Sequence, residues 1–162
     1  MGRRQAREAA LQALYQVDVG GADPEKALAD TAELNQMVPE DLGFSKELVL
    51  GAVGRLEEID RLIAALSRDW NIDRLARVDH NIMRLAVYEI MFRDDIPFGV
   101  TVNEAVELAK TFGGKDSGRF INGILAQVAE RSDPAGVAVR PDPAGAAGTA
   151  GAGEVMMEGR TD

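Results

Sequence analysis

The sequence contains no cysteine and only one histidine. Without thiols there is no disulfide frame, no thiolate metal site and no cysteine nucleophile. One imidazole cannot build a multi-histidine metal centre. Aromatic residues make up 5% of the chain, with a single Trp, so a core drawn from the 46% apolar fraction must be mainly aliphatic. No apolar run approaches the roughly 18 residues of a membrane span. The opening Met-Gly-Arg-Arg lacks the apolar segment of a secretory signal. It also departs from the myristoylation pattern, with Ala6 where Ser or Thr is required. These absences point to a cytoplasmic protein without a membrane partner.

Familiar cofactor motifs are missing as well. Gly113-Gly114-Lys115-Asp116-Ser117 invites a phosphate-loop reading, but Ala109 occupies the place of the first Gly and a helical pattern precedes it. Asp69-Trp70-Asn71-Ile72-Asp73 resembles half a calcium loop. It then offers Arg74 for the turn Gly and His80 for the closing Glu, so it reads as a connector, with Trp70, Ile72 and Leu75 plugging the core. No strand is convincing anywhere. No cofactor, metal or catalytic residue is expected, and the chain does not read as an enzyme.

Charge is unevenly placed. Eighteen Lys and Arg stand against 27 Asp and Glu, a net −9 that opposes nonspecific binding to nucleic acid. Yet Arg3, Arg4 and Arg7 all precede the first acid, Glu8. They share one flank of a helix start, where the helix dipole disfavours cations and an anion would relieve the mismatch. A second cationic spot follows Gly113. Lys115 and Arg119 flank another helix start, and Phe120 offers either a core contact or a ring for base stacking.

The stretch from Val78 to Phe92 organises the chain. It is apolar nearly all round, so the helix it forms must be buried nearly all round. Arg84 and Glu89 are its only charges past Asn81, and each needs a partner. Asp79 is placed to cap it. The rest reads as further helices. Residues 3–19 carry the stripe Ala6, Ala10, Ala13, Leu14 and Val17, ended by Gly20-Gly21. Asp23-Pro24 restarts a short helix. From Asp41 to about Ser67 the pattern is helical, with close approach or a break signalled by Gly51 and Gly54. Thr101-Val102-Asn103-Glu104 reads as a capping box, with Val100 as half of a staple. Phe112 closes an inner face begun at Val102, and Gly113 reads as a left-handed cap. Asp116 or Ser117 caps a last helix in which Asn122-Gly123 suggests close packing. After Ser132 the Gly, Ala and Pro content reads as a disordered acidic tail, leaving residues 1–131 as the folded domain.

Several of these runs together resemble the bacterial antitermination factor NusB family. Arg3 to Tyr15 (RRQAREAALQALY) is similar to its N-terminal arginine-rich helix, and Val78 to Glu89 (VDHNIMRLAVYE) to its central helix. Val102 to Lys110 and Phe120 to Leu125 are similar to its last two helices. The resemblance implies an all-α fold of about seven helices in two packed helical subdomains. It implies binding of the boxA RNA element of ribosomal RNA operons together with NusE, a ribosomal protein, within the transcription elongation complex. It places RNA contacts at Arg3, Arg4, Arg7, Asp116, Ser117 and Phe120, to which the charge pattern adds Lys115 and Arg119. Tyr15 and Asp79 would face NusE. A helical protein–protein adaptor without direct RNA contact is the alternative.

Overall fold

Gly21 adopts φ 68°, ψ 21°, the left-handed turn that ends the first helix. Its amide donates to Val17 O and that of Ala22 to Gln16 O, the paired bonds of a glycine-terminated helix. The computed structural model describes residues 2–67 and 75–132, and these form seven helices and no strand. They are α1 (Arg3–Gly20), α2 (Pro24–Leu34), α3 (Pro39–Gly54), α4 (Leu56–Leu66), α5 (Arg77–Phe92), α6 (Phe98–Phe112) and α7 (Ser117–Ser132). Among the described residues no helix is long and apolar enough to cross a membrane. The connector motif from Asp69 to Asp73 and the tail after Ser132 lie outside the described residues.

The chain divides into two units, Met1–Tyr88 and Glu89–Asp162, and the division falls within α5. In the first unit, α1 packs on α2 and α3. Its small residues Ala6, Ala9, Ala10 and Ala13 are all buried, which lets the neighbouring helices approach closely. Asp23 caps α2 through a bond from the Lys26 amide, and Pro24 opens it. Pro39 likewise opens α3, two residues before the helical pattern begins in the sequence. The two glycines of that pattern have different roles. Gly54 ends α3, and Arg55 joins it to α4. Gly51 makes room for Tyr88, whose ring a Cβ at this position would penetrate.

All seven residues from Asn81 to Val87 are buried, as the near-continuous apolar character of α5 requires. Asp79 is not its N-cap residue. The helix begins at Arg77, and Asp79 sits inside the first turn.

The second unit departs from the sequence pattern in several places. α6 starts at Phe98 from an extended Pro97, so its cap stands four residues ahead of Thr101, the expected cap. Thr101 is therefore already helical, and its hydroxyl donates to the buried Glu89 carboxylate at 2.9 Å. The inner face of α6 is Thr101, Ala105, Leu108 and Ala109, while Val100 and Phe112 are exposed. Gly113 is extended (φ −97°, ψ −169°) rather than left-handed. Glycine is needed there for space, because a Cβ would lie 2.7 Å from Ser117 Oγ and 2.9 Å from Ala109 O. Asn122 and Gly123 are exposed, with open space around Gly123. The close approach of α6 and α7 falls instead at Gly118, whose missing Cβ would sit 3.4 Å from Val106.

Candidate functional site

The first cationic segment is the opening turn of α1. Gly2 precedes it in an extended conformation, with no side chain to cap the free amides, and the first turn holds no acid. The positive end of the helix dipole and the arginines therefore add. Arg3 and Arg4 are exposed, whereas Arg7 is buried at 5% exposure. Arg4 borders a shallow depression of about 410 Å³ with Gly2, Gln5 and Glu8. Arg3 and Arg7 are brought together on one ring: their guanidinium carbons lie 4.4 and 5.2 Å from the centroid of Phe44 in α3. In the sequence Phe44 is one more apolar residue of a helical stripe, and nothing local ties it to the arginines.

The second segment, in the other unit, is the turn between α6 and α7. Ser117 Oγ accepts from the Gly114 amide at 2.8 Å and so closes the turn, while the Phe120 amide donates to Asp116 O. Lys115, Asp116 and Arg119 project as exposed side chains, and Arg119 donates to Asp116 at 2.9 Å. Ser117 and Phe120 are buried, at 6% and 7% exposure. Burial favours packing over base stacking for Phe120, since a ring must offer a face to stack.

The two residues expected to meet a protein partner differ in access. Tyr15 is 38% exposed on α1, one turn from the exposed Val19. Asp79 is 8% exposed in the first turn of α5. Close in sequence to Asp79 lies a polar network that joins α1, α4 and α5. Arg84, the charge on α5 that needed a partner, has Asp60 and Asp18. Asn81 donates to Asp18 at 3.2 Å, Arg77 pairs with Asp18, and His80 Nε2 lies 3.0 Å from Asp60 Oδ1. Burial raises both carboxyls. Hydrogen bonds and nearby charges outweigh it, from His80 and Arg84 at Asp60 and from Asn81, Arg84 and Arg77 at Asp18. Asp60 is held at about 2 and Asp18 below its ordinary value. These partners are far away in sequence, so no spacing rule could have identified them.

Residues 4–130 match the model of a family described as NusB. A transcription antitermination protein NusB from Desulforamulus reducens is 51% identical over 135 residues, covering 83% of this chain and 94% of that one. Another from Pelotomaculum thermopropionicum is 57% identical over 130 residues, covering 80% and 90%. Among solved structures, T. maritima NusB superposes with a TM-score of 0.75 at 36% identity, covering 80% of this chain and 92% of that one. A crystal structure of antitermination factors NusB and NusE in complex with dsRNA gives 0.73 at 31%, covering 80% and 96%.

Proposed function

The chain belongs to the NusB family, and on that premise we propose that it is a transcription antitermination factor. It binds the boxA RNA of ribosomal RNA operons together with NusE, as part of the transcription elongation complex. The observation that carries this reading is the opening turn of α1. There an uncapped helix N-terminus and the arginines collect positive charge on an otherwise acidic chain. Relatives that carry this name, and a structural neighbour solved with NusE and RNA, support it.

In this reading the exposed Arg3, Arg4, Lys115 and Arg119 supply phosphate contacts, and Asp116 offers an acceptor to a base or sugar donor. Arg7 supports the first segment from beneath, and Ser117 and Phe120 support the second, in keeping with their burial. Tyr15 and Asp79 belong to the NusE-facing side. A second reading, a helical adaptor that meets only proteins, draws on the same burial of Arg7, Ser117 and Phe120 and on the net charge of −9.

An electrophoretic shift with boxA RNA separates the two, run with and without NusE over a range of salt. The antitermination reading expects a complex that weakens steeply with salt and tightens when NusE is present. Binding to NusE with no RNA shift in either condition supports the adaptor instead.

A further inference from the structure

We infer that Phe44 is a positioning residue for RNA: its ring, packed also against the buried Arg7, holds the exposed Arg3 in a binding-ready arrangement. The inference rests on the antitermination reading and adds a residue outside the two cationic segments. Three observations converge on it. The guanidinium carbon of Arg3 stands 4.4 Å from the ring centroid and that of Arg7 5.2 Å, both within reach of a cation–π contact. Next to Phe44, the fully buried Ser45 donates from its hydroxyl to Ala6 O at 2.6 Å. Ala6 lies between the two arginines, so this bond sets the register that brings both onto one ring. Finally, among the described residues Arg3 has the ring contact and no carboxylate partner.

The chemistry of guanidinium makes this useful. Stacking occupies the flat face of the group and leaves its N–H donors in the plane, directed outward. A phosphate is recognised by those donors. An arginine with no such support has many rotamers, and binding must then restrict them. Phe44 itself is 8% exposed, so it acts through the arginines and not by touching the ligand.

The test uses the full chain and a single-stranded RNA oligonucleotide that contains a boxA element, titrated with NusE present. Phe44→Leu and Phe44→Met remove the ring but keep apolar volume, and Phe44→Tyr keeps the ring. The Leu or Met variant, whichever keeps the helical signal, should bind about fivefold more weakly, the order set by re-ordering one freed side chain. Phe44→Tyr should bind like wild type. In an Arg3→Ala background the ring deletion should lose about twofold or less, because the exposed group that the ring holds is already gone. An equal loss in both backgrounds, no rescue by Tyr, or unchanged affinity after ring removal would overturn the inference while wild type still binds. Failure of wild type to bind the RNA removes the antitermination reading, and the inference with it.

Discussion

Arg84 donates to both carboxylate oxygens of Asp60, from Nε to Oδ1 at 2.8 Å and from Nη2 to Oδ2 at 2.7 Å. Its Nη1 donates to Asn81 Oδ1 at 2.9 Å and lies 3.4 Å from Asp18 Oδ1. Arg84 is 6% exposed, and its guanidinium is thus surrounded by acceptors from α1, α4 and α5. The planar fork fits a carboxylate edge-on, which an ammonium cannot do. Asp60→Asn leaves Arg84 short of one charge in a buried place. It should cost up to about 3 kcal/mol in urea unfolding, the low end for a broken buried pair, because Asp60 is 31% exposed and Asp18 still faces Arg84. Arg84→Lys should be similarly harmful, since it keeps the charge and loses the fork.

The same pair sets an acid limit. Asp60 is held at about 2 against an ordinary 3.8, and Asp18 is also held below its ordinary value. Both carboxyls bind protons more weakly when folded. Their stabilisation is complete above about pH 4 and is lost as pH falls towards 2. Urea midpoints measured from pH 6 to pH 2 should fall across that window. In Asp60→Asn the fall should be shallower, and an unchanged slope would remove Asp60 from the account.

Two glycines make opposite predictions for the same substitution. Gly51→Ala drives a methyl into the ring of Tyr88 and should cost about 1–3 kcal/mol, as overpacking does. Gly123→Ala adds its methyl in open space on α7 and should stabilise by up to about 1 kcal/mol through helix propensity. Thermal melts of the two variants, compared with wild type, test the packing at one position and its absence at the other.

Charge contacts and packing contacts should separate in the salt dependence of RNA binding. Arg4→Ala and Arg119→Ala each remove an exposed cation. Each should flatten the slope of log affinity against log salt by about 0.7 if that cation meets a phosphate of single-stranded RNA. Phe120→Leu, at a position 7% exposed, should lower the melting temperature and leave the slope unchanged. A lower affinity with an unchanged melting temperature would restore Phe120 as a stacking ring.

Tyr15 offers an exposed ring beside the apolar stripe of α1. Tyr15→Ala should weaken NusE binding by about tenfold or more, as loss of an interface tyrosine often does, with little change in stability. Calorimetric titration with NusE measures this directly, and wild-type affinity would exclude Tyr15 from that contact.

The sequence by itself determined which segments are helical and several of their ends, and left open whether one helix or two run from Asp41 to Ser67. Asp23-Pro24 and Gly20-Gly21 act on backbone bonds within a few residues, so they are legible locally. The unbroken apolar character of α5 likewise required its burial before any neighbour was known. Local patterns failed where a distant residue competed for the same atom. Thr101 looked like a cap, but its hydroxyl donates to Glu89, and the helix starts earlier. Gly113 looked like a left-handed cap, but what it supplies is room for Ser117. At the candidate site the arginines were visible as a run of charge, while only the tertiary structure showed Arg7 buried and Phe44 beneath two guanidiniums. The reason is the same in each case. A cap or a stripe is written in consecutive residues, whereas Asp60 with Arg84 and Phe44 with Arg3 meet through space, across sequence separations that carry no periodic signal.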